Sequence, residues 1–141
     1  MSIPSASSAQ SLESSSTPRL TRQEMFDRAY LGLAGQGFAQ AKIDGGCVYL
    51  APDGTRCAWG HVDTSLTSHY QCGVTWLRED CIGIAGNLTA DDLKFAVALQ
   101  NAHDDKRSAD PATMQTFLHT LATDYGLTVP AIPNTPLPST V

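Results

Sequence analysis

The stretch GGCVYLAPDGTRCAWGH, residues 45–61, decides how this chain is read, because it sets two cysteines and a histidine around one tight turn. CVYL and RCAW are short apolar runs on either side of APDGT. Pro52 suits the first central position of a type I turn, and Gly54 can take the left-handed conformation that follows it. A three-residue loop over Pro52, Asp53 and Gly54 sets Tyr49 opposite Cys57 and Cys47 opposite Trp59. Strand alternation then collects Cys47, Tyr49, Cys57 and Trp59 on one face and Val48, Leu50 and Ala58 on the other. A loop longer by one residue reverses the side on which Cys57 lies.

Upstream of this stretch, LTRQE has the form of a capping box, Thr21 with Glu24 three residues on. Met25, Phe26, Ala29, Tyr30 and Leu33 recur at helical spacing, and Gly35 and Gly37 end the pattern. Downstream, YQCGVTWL reads as a strand and CIGIAG as an apolar connector that holds Cys81. Thr89 caps a helix with Asp92 in its first turn, and that helix runs to the HDDKRS stretch. Leu93, Ala96, Val97, Gln100 and His103 lie along one side of it, with Phe95 and Leu99 beside them. Asp110 and Pro111 open a final helix carrying Met114, Phe117, Leu118, Leu121, Ala122 and Tyr125 at the amphipathic spacing. Gly126 and Leu127 close it as a Schellman ending.

These elements give a small single α+β domain, about three helices packed on a short antiparallel hairpin or sheet. The domain spans residues 20–128. The Ser-rich segment 1–19 and the Pro-rich tail 129–141 have too few large apolar residues to offset ordering entropy, and both are expected to be disordered. The chain has 141 residues, and nine Lys and Arg against fourteen Asp and Glu leave a net charge of −5. No block of basic residues offers a nucleic-acid groove or a membrane-surface patch. No apolar run is long enough to span a bilayer, and the start lacks a secretory pattern. The cytoplasm, with reduced thiols, is the expected location, so the sequon at Asn87 carries no weight.

Three kinds of chemistry fit the cysteines and histidines. Cys47, Cys57 and His61 can hold zinc across the hairpin, with His69 or Cys72 closing the shell; Cys57 and His61 are a close pair of the kind a zinc knuckle uses, but the spacing is not diagnostic. Cys57 can act as a nucleophile with His103 as base and Asp104 or Gln100 as orienter. The reading that asks least is that all four thiols pack in the core and stay free, since the hairpin register pairs neither Cys47 nor Cys57 with the other. GLAGQG and GIAGN lack the context of a phosphate loop. Tyr49, Trp59, Tyr70 and Trp76 are read as core aromatics before pocket walls.

The order TRQEMFDRA, GGCVYLAPDGTRCAWGH, LQNAHDD, MQTFLHTLATDYGL resembles a group of small uncharacterised proteins from bacterial and tailed-phage genomes. The likeness covers about residues 21–127 and rests on Cys47, Tyr49, Pro52, Asp53, Gly54, Cys57, Ala58, Gly60, Gln100, His103 and Asp104. His61 departs from it, standing where the similar proteins carry Cys or an apolar residue. The loop after His61 also lacks their Ile-Pro-Asp run. The resemblance implies a phage- or mobile-element-like accessory protein that binds a host or phage protein, an anti-defence inhibitor being one form. A thiol-dependent hydrolase or transferase built on Cys57 and His103 is the alternative, and a zinc-stabilised binding module is the third reading.

Overall fold

The computed structural model describes residues 20–43, 46–67 and 73–132. The expected disordered segment 1–19 lies outside them, as do residues 133–141 of the expected tail 129–141, and His69, Tyr70 and Cys72. Helix α1 (Arg22–Gly35) starts as its sequence dictates: Thr21 Oγ1 accepts the Glu24 N–H at 3.0 Å, and Glu24 accepts the Thr21 N–H at 2.8 Å. Its apolar stripe, Met25, Phe26, Ala29, Tyr30 and Leu33, is buried throughout. Removing each large side chain of that stripe from water contributes roughly 1.5–3 kcal/mol. The helix ends through Gly37, at φ +68, and the buried Phe38 beside it also adopts a left-handed φ, of 56°.

The turn in the quoted stretch forms as expected, but the hairpin around it does not. Gly54, at φ +91, donates its N–H to Ala51 O at 2.9 Å, and Ala51 donates to Thr55 O at 2.9 Å. Leu50 bridges Arg56, one step outward in the expected register. There the ladder stops, because Cys57 caps a helix, α2 (Ala58–Val62), so Trp59 faces no strand residue. The antiparallel pair instead joins β1 (Lys42–Ile43) to β2 (Gly46–Cys47), with Lys42 opposite Cys47.

Long-range contacts explain why the chain turns helical at Ala58. Trp59 donates its N–H to Gln100 Oε1 at 2.8 Å, and Gly60 donates to the Cys57 sulfur at 3.3 Å. The Tyr49 carbonyl sits where a Cβ of residue 60 would be, so only glycine allows this approach. The expected sorting of faces survives in part. Tyr49, Cys57 and Trp59 join the main core, while Val48 packs with Ala41 and Ala51 in a small separate cluster. Ala58, expected with Val48, is in the main core instead.

Residues 73–79 form no strand. Val74–Glu79 is a short helix, α3, with Val74 and Leu77 turned inward. A 3₁₀ turn, Gly83–Asn87, leads to Thr89, which caps α4 (Ala90–Asp104) through the Asp92 N–H at 3.1 Å. Asp110 caps α5 (Pro111–Asp124), and Leu127 donates to Ala122 O at 2.8 Å in the expected Schellman ending. Helix α4 is central and touches each of the other helices. The α+β class therefore holds, with three long helices, two short ones and a two-stranded ribbon. Val129 packs against the core, at the point where the Pro-rich tail begins. No helix of the described residues is long and apolar enough to cross a membrane.

Candidate functional site

The residues able to carry chemistry meet where the C-terminal end of α4 reaches the β1–β2 ribbon. His103 and Asp104 are the last two residues of α4. The His103 side chain has no exposure, whereas Asp104 keeps 36% of its side chain in solvent. Ala41 donates its N–H to His103 Nε2 at 3.1 Å, which assigns the neutral ring a proton on Nδ1. That Nδ1–H donates to Asp104 Oδ1 at 2.7 Å. Gln100, one helical turn back, donates to both Asp104 oxygens at 3.3 Å while its own oxygen holds the Trp59 N–H. Gln40 donates to the carbonyls of His103 and Asp105, closing the helix end.

Cys47 comes to this carboxylate from the end of β2. Burial first, then the Asp104 charge and a thiol hydrogen bond to Asp104, push the Cys47 thiol up to about 11. Cys57 is wholly buried, and burial pushes its thiol up to about 12 against the smaller, opposing effects of the Gln100 and Gly60 hydrogen bonds. A nucleophilic thiol needs the opposite shift, toward thiolate at neutral pH.

The thiol-enzyme arrangement is therefore half assembled. His103 and Asp104 form the base and orienter pair that the sequence suggests. The Nε2 lone pair that would accept a thiol proton, however, is turned to the Ala41 amide and not to Cys57. Gln100 orients Asp104 and the α2 backbone together.

Nor do the hairpin metal ligands converge. Cys57 Sγ serves as the cap of α2, and His61 Nε2–H donates to Gln36 Oε1 at 2.9 Å. Burial first, then the Arg56 charge, pushes the His61 imidazole down to about 4. Its ring lies against Gly32, where any Cβ would overlap it. Among the described residues, the ligand grouping that does form is Cys47, His103 and Asp104, with one donor atom of each within 4.8 Å of the others. The sequence placed Cys47 with one chemistry and His103 with another. Their meeting depends on β1, which no turn or periodicity signal in AKID announced.

The cysteines also differ from the uniform core packing expected of them. Cys57 is buried, Cys47 half-buried and Cys81 exposed, and all three are free thiols. Cys81 ends α3 at φ 56, a position that glycine usually fills. Tyr49 and Trp59 are core residues as expected, but Trp76 stands 57% exposed on α3. Comparison with family models, with curated proteins and with solved structures finds no match to this chain.

Proposed function

We propose that this chain is a binding protein that engages another protein through the outer face of α3, rather than an enzyme. Trp76 carries the reading. Among the described residues only it and Ile132 are large hydrophobics left exposed, and Trp76 is the more open of the two. Buried tryptophans dominate protein interfaces, so an exposed one on a short, inwardly anchored helix is a ready anchor. Glu79 and Asp80 lie three and four residues further along the same face. Arg78, the one cation of this helix, donates to Leu88 O at 2.9 Å and is turned away. The partner that fits is a protein surface pairing an apolar pocket with Lys or Arg, which the chain's net charge of −5 also favours.

Two further observations support this reading, the first against nucleic acid or a membrane surface and the second against an enzyme. Each arginine of the described residues is already held within the chain: Arg22 on Asp92, Arg107 on Asp105, and Arg28, Arg56 and Arg78 on backbone carbonyls. The raised thiols of Cys47 and Cys57 also fit packing better than nucleophilic attack. An accessory role in a phage or mobile element, including inhibition of a host defence protein, belongs to this class.

The test is affinity capture with the wild-type chain, Trp76→Ala and Lys94→Ala side by side, followed by titration of the purified partner. Trp76→Ala is expected to weaken binding by about thirtyfold or more, as loss of a central anchor does, while Lys94→Ala leaves it unchanged. A partner that binds wild type and Trp76→Ala equally well overturns the proposal.

A further inference from the structure

We propose that Cys47, His103 and Asp104 form a divalent metal site, with zinc the fitting ion, that bridges the end of β2 to the end of α4. One donor atom of each residue lies within 4.8 Å of the other two. Thiolate, imidazole and carboxylate are the three donors that zinc takes, and the thiolate selects against magnesium and calcium. In a tetrahedral zinc site neighbouring donors stand about 3.3–3.8 Å apart. His103 Nδ1 and Asp104 Oδ1, now 2.7 Å apart around a proton, reach that separation by a turn of the partly exposed carboxylate.

The surroundings suit a cation. The C-terminal end of a fifteen-residue helix carries partial negative charge, and Asp104 adds a full one. Among the described residues no Lys or Arg forms an ion pair with Asp104. Outer support is present for the carboxylate and for the backbone that carries the ligands. Gln100 holds the carboxylate and Gln40 the His103 carbonyl, while the ladder fixes Cys47 opposite Lys42.

Loading the site is a proton exchange without redox change. Cys47 releases its S–H proton to solvent as the metal–sulfur bond forms. The His103 proton moves from Nδ1 to Nε2, freeing the Nδ1 lone pair for the metal. Nε2–H then faces the Ala41 N–H, so that hydrogen bond must open. The ribbon exchanges one tether to His103 for another, through Cys47 and the ion. Three protein ligands leave a fourth position toward the exposed side of Asp104, open to water or to a ligand atom from a partner.

Cobalt(II) added to the full-length reduced chain is the probe, with zinc as competitor. One equivalent is expected to produce a thiolate-to-cobalt charge-transfer band that zinc removes, together with a shift of the Ala41 amide resonance. Cys47→Ser is expected to abolish the band. Asp104→Asn, at a partly exposed position and isosteric, is expected to weaken cobalt binding by at least about tenfold. Cys57→Ser and Cys81→Ser should keep the band. No band in the wild-type chain at saturating cobalt overturns the proposal. So does a band that survives unchanged in Cys47→Ser or in Asp104→Asn.

Discussion

Helix α5 and the segment from Ala41 to Val62 are held in opposite ways. The helix closes both ends with its own neighbours: Asp110 caps the Thr113 N–H at 3.1 Å, and Gly126 and Leu127 return to Thr123 and Ala122. The segment is closed by residues far along the chain. Its Trp59 amide reaches Gln100, 41 positions away, and its Ala41 amide reaches His103, 62 positions away. Gln36 adds a third long tie, accepting from the Arg56 N–H and the His61 ring and donating to Arg56 O. The ends of a helix of the first kind are set by its own sequence, while its buried face still depends on the core. A segment of the second kind exists only after α1 and α4 have docked, so its stability and that of the core are one quantity.

Substitutions in the segment should therefore cost more than equally small ones in α5. Gly60→Ala sets a methyl group against the Tyr49 carbonyl, a backbone atom that cannot move aside cheaply. It is expected to destabilise the fold by about 3 kcal/mol in denaturant titration. Gln100→Leu leaves the buried Trp59 amide without an acceptor and should cost about 2 kcal/mol. Hydrogen exchange that quickens more at Trp59 than inside α5 would show that the long-range tie itself has been lost.

Acid should act on the same segment. His61 titrates near 4 when folded, below its ordinary 6.5, because the fold buries the ring. Between those values the unfolded chain takes up a proton that the folded chain refuses. Stability therefore falls as pH drops from about 6.5 to about 4 and levels off below, by on the order of 1–2 kcal/mol for this half-buried ring. His61→Gln is expected to flatten that slope. The smallest effect belongs to the self-contained helix: Asp110→Ala should cost about 1 kcal/mol and fray only its first turn.

The same division marks what could be read from residues alone. Thr21 with Glu24, Asp110 with Pro111, and Gly126 with Leu127 act within a turn of themselves, and each did what its spacing implied. The turn over Pro52–Gly54 was equally legible, as was its register at Leu50 and Arg56. Beyond that bridge the signal was misleading. RCAW has a strand's composition, but Gln100 and the Tyr49 carbonyl make it a helix start. TWL likewise reads as β, whereas the spacing of Val74 and Leu77 satisfies one inward helical face. At the site, the pairing of His103 with Asp104 was legible because the two are adjacent. The approach of Cys47, and the use of His103 Nε2 on Ala41, depended on a ribbon two residues long on each side.

The most direct test of the account is site-resolved alkylation of the native, reduced chain, followed peptide by peptide with time. Cys81, exposed at the end of α3, should react first, and Cys47 more slowly. Cys57, the cap of α2, is pushed up to about 12 by burial and should react last and only at the rate of global unfolding. A Cys57 that is modified faster than Cys81 under native conditions would contradict the account, because it would make the α2 cap an activated thiol and return the chain to the enzymes.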